Sequence, residues 1–165
     1  MTPEDDDYVR EHFVPATPEA MDLMLEGRLP LPSYVLSDGT PMVPQDHASL
    51  VEHDGEVVGD SILILQGTGL SEGEIGWTII PRHAGRGYAT EAAHAMLELG
   101  FEHYGLRRIV ANLDARNDRS AALCERLGMR REVHRIGDFW SKGRWTDSYE
   151  YALLREEWRT SREPG

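Results

Sequence analysis

The sequence contains a single cysteine, Cys124, so no internal disulfide can form. It has no apolar run near the ~20 residues that a helix needs to cross a bilayer, and its start, MTPEDDDY, lacks the basic and apolar pattern of a signal peptide. Basic residues are few, because 17 Lys and Arg stand against 29 Asp and Glu, for a net charge of -12. We therefore predict one cytoplasmic domain over residues 8–160, with flexible tails at 1–7 and 161–165. An acidic chain of this kind is expected to bind neither nucleic acid nor membrane.

The most informative segment is EIGWTIIPRHAGRGYATEA, from Glu74 to Ala92. Its alternating first half predicts a strand that ends at Pro81, which has no N–H to donate to a neighbour. Gly85 and Gly87 then permit backbone conformations that a Cβ would oppose, and they let main-chain N–H groups approach an anion. A helix that begins near Thr90 would point its free N–H groups at the same place. The pattern predicts a phosphate-binding turn.

Apolar residues recur at helical spacing from Thr90 to Tyr104, and Gly105 is a natural stop. A second strand is predicted over residues 107–117, beside the first, so that the two strands lie parallel or splay apart. Two nucleotide-binding patterns fit poorly, because a dinucleotide fingerprint needs a third glycine where Thr90 stands and the Gly-Lys-Ser/Thr ending of a phosphate loop is missing. The helical stripe contains Ala93, Met96, Leu97, Gly100, Phe101 and Tyr104.

The string RHAGRGYATEA resembles the pyrophosphate-binding motif of the GNAT superfamily of acetyl-CoA-dependent N-acetyltransferases, which is Gln/Arg, two residues, Gly, one residue, Gly/Ala. NDRSAALCERLGM, from Asn117 to Met129, resembles the next motif of that family. The segment from Arg135 to Trp158 resembles the closing hairpin of its RimJ/RimL-like branch, and the segment from His47 to Gln66 reads as an earlier hairpin with a turn at Asp54-Gly55. The resemblance implies an α/β (α+β) fold with a mixed, mostly antiparallel sheet that is splayed at its middle and flanked by helices.

The resemblance also implies a reaction in which a primary amine attacks the thioester of acetyl-CoA directly, with no metal. Glu74 is the candidate general base, and Glu91 is its rival. Cys124 stands where many relatives have a Tyr that protonates the leaving thiolate, so no residue is assigned as the general acid; Ser120 or solvent are the alternatives. A main-chain N–H of Ile79 or Ile80 is expected to stabilise the oxyanion. The implied cofactor contacts are Ile79, Ile80, Arg82, Gly85, Arg86, Gly87, Tyr88, Ala89, Thr90, Asn117 and Ser120.

Three functions remain open at this level. The first is a RimJ/RimL-like N-acetyltransferase that acts on a protein N-terminus or a small amine. The second is an acetyltransferase of cationic antibiotics or polyamines, which the acidic Glu52, Asp54 and Asp147 favour. The third is an acyl-CoA-binding module without catalysis. Trp140 and Trp145 are expected to line the acceptor pocket, to form a homodimer surface or to pack in the core, and the first 46 residues, with a helix predicted from Thr17, are expected to shape the acceptor pocket.

Overall fold

The computed structural model describes residues 14–15, 34–35 and 47–164 of the chain. The short strands β1 (Val14–Pro15) and β2 (Tyr34–Val35) pair antiparallel, and the helix predicted from Thr17 lies outside the described residues. Six further strands form one sheet in the order β3-β4-β5-β6-β8-β7. These strands are β3 (His47–His53), β4 (Glu56–Gln66), β5 (Glu72–Ile79), β6 (Arg108–Asp114), β7 (Arg130–Ser141) and β8 (Arg144–Leu154), and the helices are α1 (Tyr88–Glu98), α2 (Asp118–Arg126) and α3 (Arg155–Arg162).

The chain divides into two compact units, and both β4 and β5 contribute to each. Among the described residues, the first unit runs up to Ile62 and resumes over Trp77–Ala92. The second unit comprises Leu63–Gly76 and the residues from Ala93 onward. The mixed α/β architecture confirms the predicted fold class.

The first unit contains the predicted β3–β4 hairpin. Its two-residue turn has positive φ at both Asp54 (51°) and Gly55 (77°), the conformation that matches the twist of paired strands. Further along, the Ile80 N–H donates to the Val58 carbonyl at 2.9 Å, so the end of β5 is fixed to the start of β4. Both of these side chains are fully buried, which gives this corner of the unit an apolar anchor.

In the second unit, β5 and β6 are parallel, as predicted, but they are paired at only three positions. The register joins Glu72 with Arg108, Gly73 with Ile109 and Glu74 with Val110, and no later pair is formed between them among the described residues. On its other side, β6 is paired with β8 along its whole length. Because β6 remains paired with β8 beyond this point, β5 and β6 separate after Glu74, which is the splay expected from the sequence.

Helix α1 begins at Tyr88, two residues before the predicted start, and is followed by one π-helical turn over Leu99–His103. The Tyr104 N–H bonds to the Leu99 carbonyl at 3.1 Å across that turn. A π turn holds more residues than an α turn, so it rotates the following residues away from the buried stripe. Tyr104, predicted to be buried, is 36% exposed for this reason, whereas Phe101 is 1% exposed.

The closing hairpin of β7 and β8 is joined by Lys142 and Gly143, which both have positive φ. The register of β7 against β8 shifts between Arg131 and Val133 and again between Arg135 and Phe139. Both tryptophans beside the turn are exposed, so the alternative that they pack in the core is wrong. The chain then continues as α3, a helix that the sequence reading missed and that includes two residues of the predicted tail.

Candidate active site

The glycine turn of the first unit has the backbone conformation that the motif predicts. Gly85 has φ 77° and Gly87 has φ 85°, a region that a residue with a Cβ adopts only with strain. A Cβ placed on either glycine would meet no atom within 4 Å. Glycine is therefore needed at both positions for the backbone angle and not to avoid a neighbour. The open space beside the turn can admit a ligand.

The first turn of α1 follows this loop directly. The first helical hydrogen bond runs from the Glu91 N–H to the Gly87 carbonyl at 3.0 Å. The N–H groups of Tyr88, Ala89 and Thr90 precede that bond, so they have no carbonyl one turn earlier to accept them. Since Gly87 also offers no capping side chain, an anion is the natural partner for these donors and for the positive end of the helix dipole.

Two basic residues of the loop meet the same carboxylate. The Arg82 guanidinium donates to Glu56, and the His83 Nε2 lies 3.6 Å from the Glu56 Oε1. His83 is 8% exposed, and neither of its ring nitrogens has a hydrogen-bond partner. Arg86, in contrast, is exposed. Of the two arginines that the motif assigns to the cofactor, Arg82 is thus held against the hairpin by Glu56.

The end of β5 offers one backbone donor fewer than the sequence suggested. The Ile80 N–H is already bonded to the Val58 carbonyl, which removes it as an oxyanion donor and leaves Ile79 as the remaining one of the two predicted. Beside it, Thr78 donates from its backbone N–H and its hydroxyl to the carboxylate of Asp60 on β4. Burial nevertheless raises the pKa of Asp60 from 3.8 to about 7.

Asp60 is the functional candidate that sequence reasoning missed. In VVGDSILIL it looks like an ordinary outward-facing polar residue of an alternating strand, and nothing in the sequence pairs it with Thr78. The feature of the sequence that could have drawn attention to Asp60 is the preceding Gly59. An ideal Cβ at Gly59 would lie 2.1 Å from the Thr78 carbonyl oxygen, so β4 approaches β5 closely at this point.

In the second unit, Glu74 is half-buried and occupies the last paired position between β5 and β6. The rival carboxylate, Glu91, is exposed in the first turn of α1, where the helix dipole favours a negative charge. Stabilisation of the helix is therefore sufficient to explain an acidic residue at position 91.

The start of α2 carries the second predicted group of cofactor contacts. The Asn117 Oδ1 accepts from the Ser120 N–H at 3.1 Å and so caps the helix, which leaves the Asn117 amide NH2 for other contacts. Arg116 is committed to Asp114, with its Nε 3.0 Å from Oδ1 and its terminal nitrogen 2.7 Å from Oδ2. These hydrogen bonds hold the pKa of Asp114 down at about 2.

Cys124 lies inside the core of the second unit. Its side chain is fully buried, and burial raises the pKa of its thiol to about 12. A buried thiol of this kind is a packing residue, so the position where many relatives have a Tyr offers no proton donor here.

No group of three metal-ligating side chains occurs in the part of the chain that the structure describes. None of the helices in that part is both long and apolar enough to span a bilayer.

Known proteins resemble this chain in sequence and in fold. A family model described as "Acetyltransferase (GNAT) domain" matches residues 4–130. The uncharacterized N-acetyltransferase YnaD of Bacillus subtilis is 36% identical over 118 residues, which is 72% of this chain and 65% of YnaD. The chain therefore matches less than two thirds of the length of that relative. The putative ribosomal N-acetyltransferase YdaF of the same organism is 31% identical over 85 residues, 52% of this chain and 46% of YdaF.

Two solved structures share the fold. A probable acetyltransferase superposes with a TM-score of 0.66 at 26% identity, over 70% of this chain and 65% of its own. Mutant forms of the spermidine/spermine N-acetyltransferase SpeG of Vibrio cholerae superpose with a TM-score of 0.66 at 24% identity, over 72% of each chain. At that identity, the likeness to SpeG shows the fold alone.

Proposed function

We propose, since this chain belongs to the acetyltransferase (GNAT) domain family, that it transfers an acetyl group from acetyl-CoA to a primary amine. The observation that carries the proposal is the glycine turn, where positive φ at Gly85 and Gly87 leaves open space in front of the unpartnered N–H groups of α1. A pyrophosphate fits this combination, because it accepts several hydrogen bonds and carries the negative charge that a helix N-terminus favours.

The proposed cofactor contacts differ in what they can supply. The N–H groups of Tyr88, Ala89 and Thr90 donate to phosphate oxygens, and the exposed Arg86 supplies a positive charge. Arg82 contributes if its guanidinium exchanges Glu56 for phosphate or bridges the two. The remaining proposed contacts are the backbone of Ile79, Ile80, Gly85 and Gly87, the amide of Asn117 and the hydroxyl of Ser120.

Two residues are proposed to act in the chemical step. Glu74 takes a proton from the ammonium form of the acceptor, which allows the nitrogen lone pair to attack the thioester carbonyl carbon. The Ile79 N–H stabilises the oxyanion that this attack creates. The carbon–sulfur bond then breaks, and coenzyme A leaves as a thiolate.

The acceptor class is a protein N-terminus or a small amine, as in the RimJ/RimL-like branch. The putative ribosomal N-acetyltransferase YdaF among the relatives supports this choice. A polyamine or a cationic antibiotic is the second candidate, supported by the net charge of -12 and by the shared fold with SpeG. Of the three acidic residues that favoured this second candidate, Asp147 is already hydrogen-bonded to the His134 ring and to the Gly137 N–H. Because a single cysteine cannot form an internal disulfide, the cytoplasm is the proposed compartment.

The experiment that tests the proposal is acetyl-CoA turnover, followed by free-thiol release, with a panel of N-terminal peptides, polyamines and aminoglycosides. Thiol release that depends on one acceptor class would support an N-acetyltransferase and identify its substrate. Measurable acetyl-CoA binding without release for any acceptor would favour the acyl-CoA-binding module. Absence of acetyl-CoA binding would contradict the proposal.

A further inference from the structure

We propose that Glu56 competes with the pyrophosphate of acetyl-CoA for the Arg82 guanidinium, and that His83 becomes the partner of Glu56 when Arg82 turns to the cofactor. The inference rests on the proposed acetyl transfer and deepens it, because it identifies a carboxylate that limits how tightly the cofactor binds. All three residues belong to the first unit. Glu56 is the first residue of β4, and the two basic residues lie in the short helical turn Pro81–His83 that leads into the glycine turn.

The Glu56 carboxylate lies between the two basic side chains. The Arg82 guanidinium donates to its Oε1, and the His83 Nε2 lies 3.6 Å from the same oxygen. The His83 ring meets the Tyr88 ring edge-on, with 6.5 Å between the ring centroids, and Tyr88 is the first residue of α1. These contacts put the carboxylate roughly one Debye length, about 10 Å at 0.1 M salt, from Tyr88. Its negative charge therefore opposes an anion at the start of this helix.

The Arg82 side chain is close enough to the glycine turn to serve either partner. Arg82 precedes Gly85 by three residues, so their Cα atoms are at most about 11 Å apart. The Ala84 N–H bonds to the Pro81 carbonyl at 3.1 Å, which folds the chain back and shortens that separation. The guanidinium is a rigid fork of donors that suits phosphate as well as carboxylate. Because Glu56 already engages this fork, a pyrophosphate must compete for it.

His83 supplies the observation that the change of partner explains. Its side chain is 8% exposed, and neither of its ring nitrogens has a hydrogen-bond partner. A buried polar group without a partner costs free energy, so two such atoms in one ring call for an explanation. When Arg82 leaves, the His83 Nε2–H has to approach Glu56 by only about 0.6 Å to form an ordinary hydrogen bond. The exchange satisfies the ring and keeps the carboxylate paired.

The first test is acetyl-CoA affinity, measured by isothermal titration calorimetry for the wild type, Glu56→Gln, Arg82→Gln and the double variant. Glu56→Gln keeps the shape and removes the charge, so Kd should fall about fivefold. Arg82→Gln should change Kd less than about twofold in the wild type, where Glu56 offsets the guanidinium, and raise it about fivefold in the Glu56→Gln background. If Glu56 only supported the structure, its loss would weaken binding, which is the opposite direction.

Two controls separate the contact from the net charge. Glu52→Gln removes the same charge at an exposed position on β3 of the same unit, and it should leave Kd within about 1.5-fold of the wild type. Glu56→Asp keeps the charge and withdraws the carboxylate from Arg82 by one methylene. Its Kd should also fall, by less than in Glu56→Gln. If Glu56→Gln does not fold, the direction of the change in Glu56→Asp decides.

The second test follows His83 itself, by nitrogen NMR of the histidine rings, with its signals assigned through His83→Gln. Saturating CoA should shift the Nε2 resonance, because a hydrogen bond to a carboxylate forms at that atom. The same addition to Glu56→Gln should give at most about half of that shift, since the amide oxygen is a weaker acceptor than a carboxylate. Direct effects of the nearby cofactor are common to both proteins, so the comparison isolates the bond to Glu56.

A Glu56→Gln variant that binds acetyl-CoA no tighter than Glu52→Gln, or more weakly than the wild type, would overturn the competition for Arg82. An Nε2 resonance that does not respond to CoA, or that responds equally in Glu56→Gln, would overturn the exchange to His83. Lack of acetyl-CoA binding in the wild type and in every variant would instead reject the proposed function.

Discussion

Gly87→Ala distinguishes two roles of this glycine in the phosphate turn, which are its positive φ and the open space that it leaves for a ligand. The added Cβ meets no atom within 4 Å, so the cost in the free protein is the positive φ of 85° alone. That conformation costs a residue with a Cβ about 1–2 kcal/mol. In a chain of this size, such a loss lowers the melting temperature by about 2–8 °C.

Binding should lose more than stability does. The new methyl group occupies the open space where the pyrophosphate is proposed to approach the backbone, and losing one charge-assisted hydrogen bond costs about 1.5–3 kcal/mol. We therefore expect acetyl-CoA affinity to fall about 10- to 100-fold, measured by isothermal titration calorimetry.

The matched control is Gly55→Ala. Gly55 also has positive φ, 77°, and an added Cβ there also meets no atom within 4 Å, but it lies in the β3–β4 turn of the same unit. It should lose similar stability and keep its affinity. Equal affinity in the two variants would refute the assignment of the glycine turn to the cofactor, and an unchanged melting temperature in both would refute the strain argument.

Three further outcomes are expected. Glu74→Gln should lower kcat by about 10²-fold and leave acetyl-CoA affinity intact, since the amide keeps the shape but accepts no proton; an unchanged kcat would remove Glu74 from the mechanism. Cys124→Ala should lower the melting temperature and leave kcat within about twofold, because the thiol is buried packing; a large loss of kcat in folded protein would contradict that role. Asn117→Ala should cost about 1 kcal/mol of stability in urea unfolding through the lost cap of α2, and Asn117→Asp should retain most of it.

The sequence predicted the elements whose patterns are local. The β3–β4 hairpin, β5 and the glycine turn each combine a turn-forming residue with a clear local pattern, and their existence follows from neighbours in the chain. Helix α3 was missed because REEWRTSR is almost entirely polar and buries only Trp158, so it shows no apolar stripe. The π turn after α1 is likewise invisible to a method that assumes 3.6 residues per turn, which explains the error at Tyr104.

The candidate site was predictable to a smaller extent. The glycine turn could be read from the motif, since the motif itself specifies the backbone. The bond from Ile80 to Val58 and the contact between Thr78 and Asp60 join residues on different strands, and their register depends on the closeness of the two strands at Gly59. Pairings of that kind are determined by tertiary structure, so a periodic pattern in one strand cannot contain them.

The two pairing shifts in β7 have a consequence for how copies of this protein can meet. β7 is the outer strand of the described sheet, and a long outer strand presents backbone donors and acceptors to which a second molecule can add. Interrupted pairing twists such an edge, and Arg131 and Glu132 place charges along it. Growth of the sheet from copy to copy is thereby disfavoured. Any self-association is expected instead to use the exposed side chains of Trp140 and Trp145 at the hairpin tip, so that it depends on side-chain packing and not on backbone pairing.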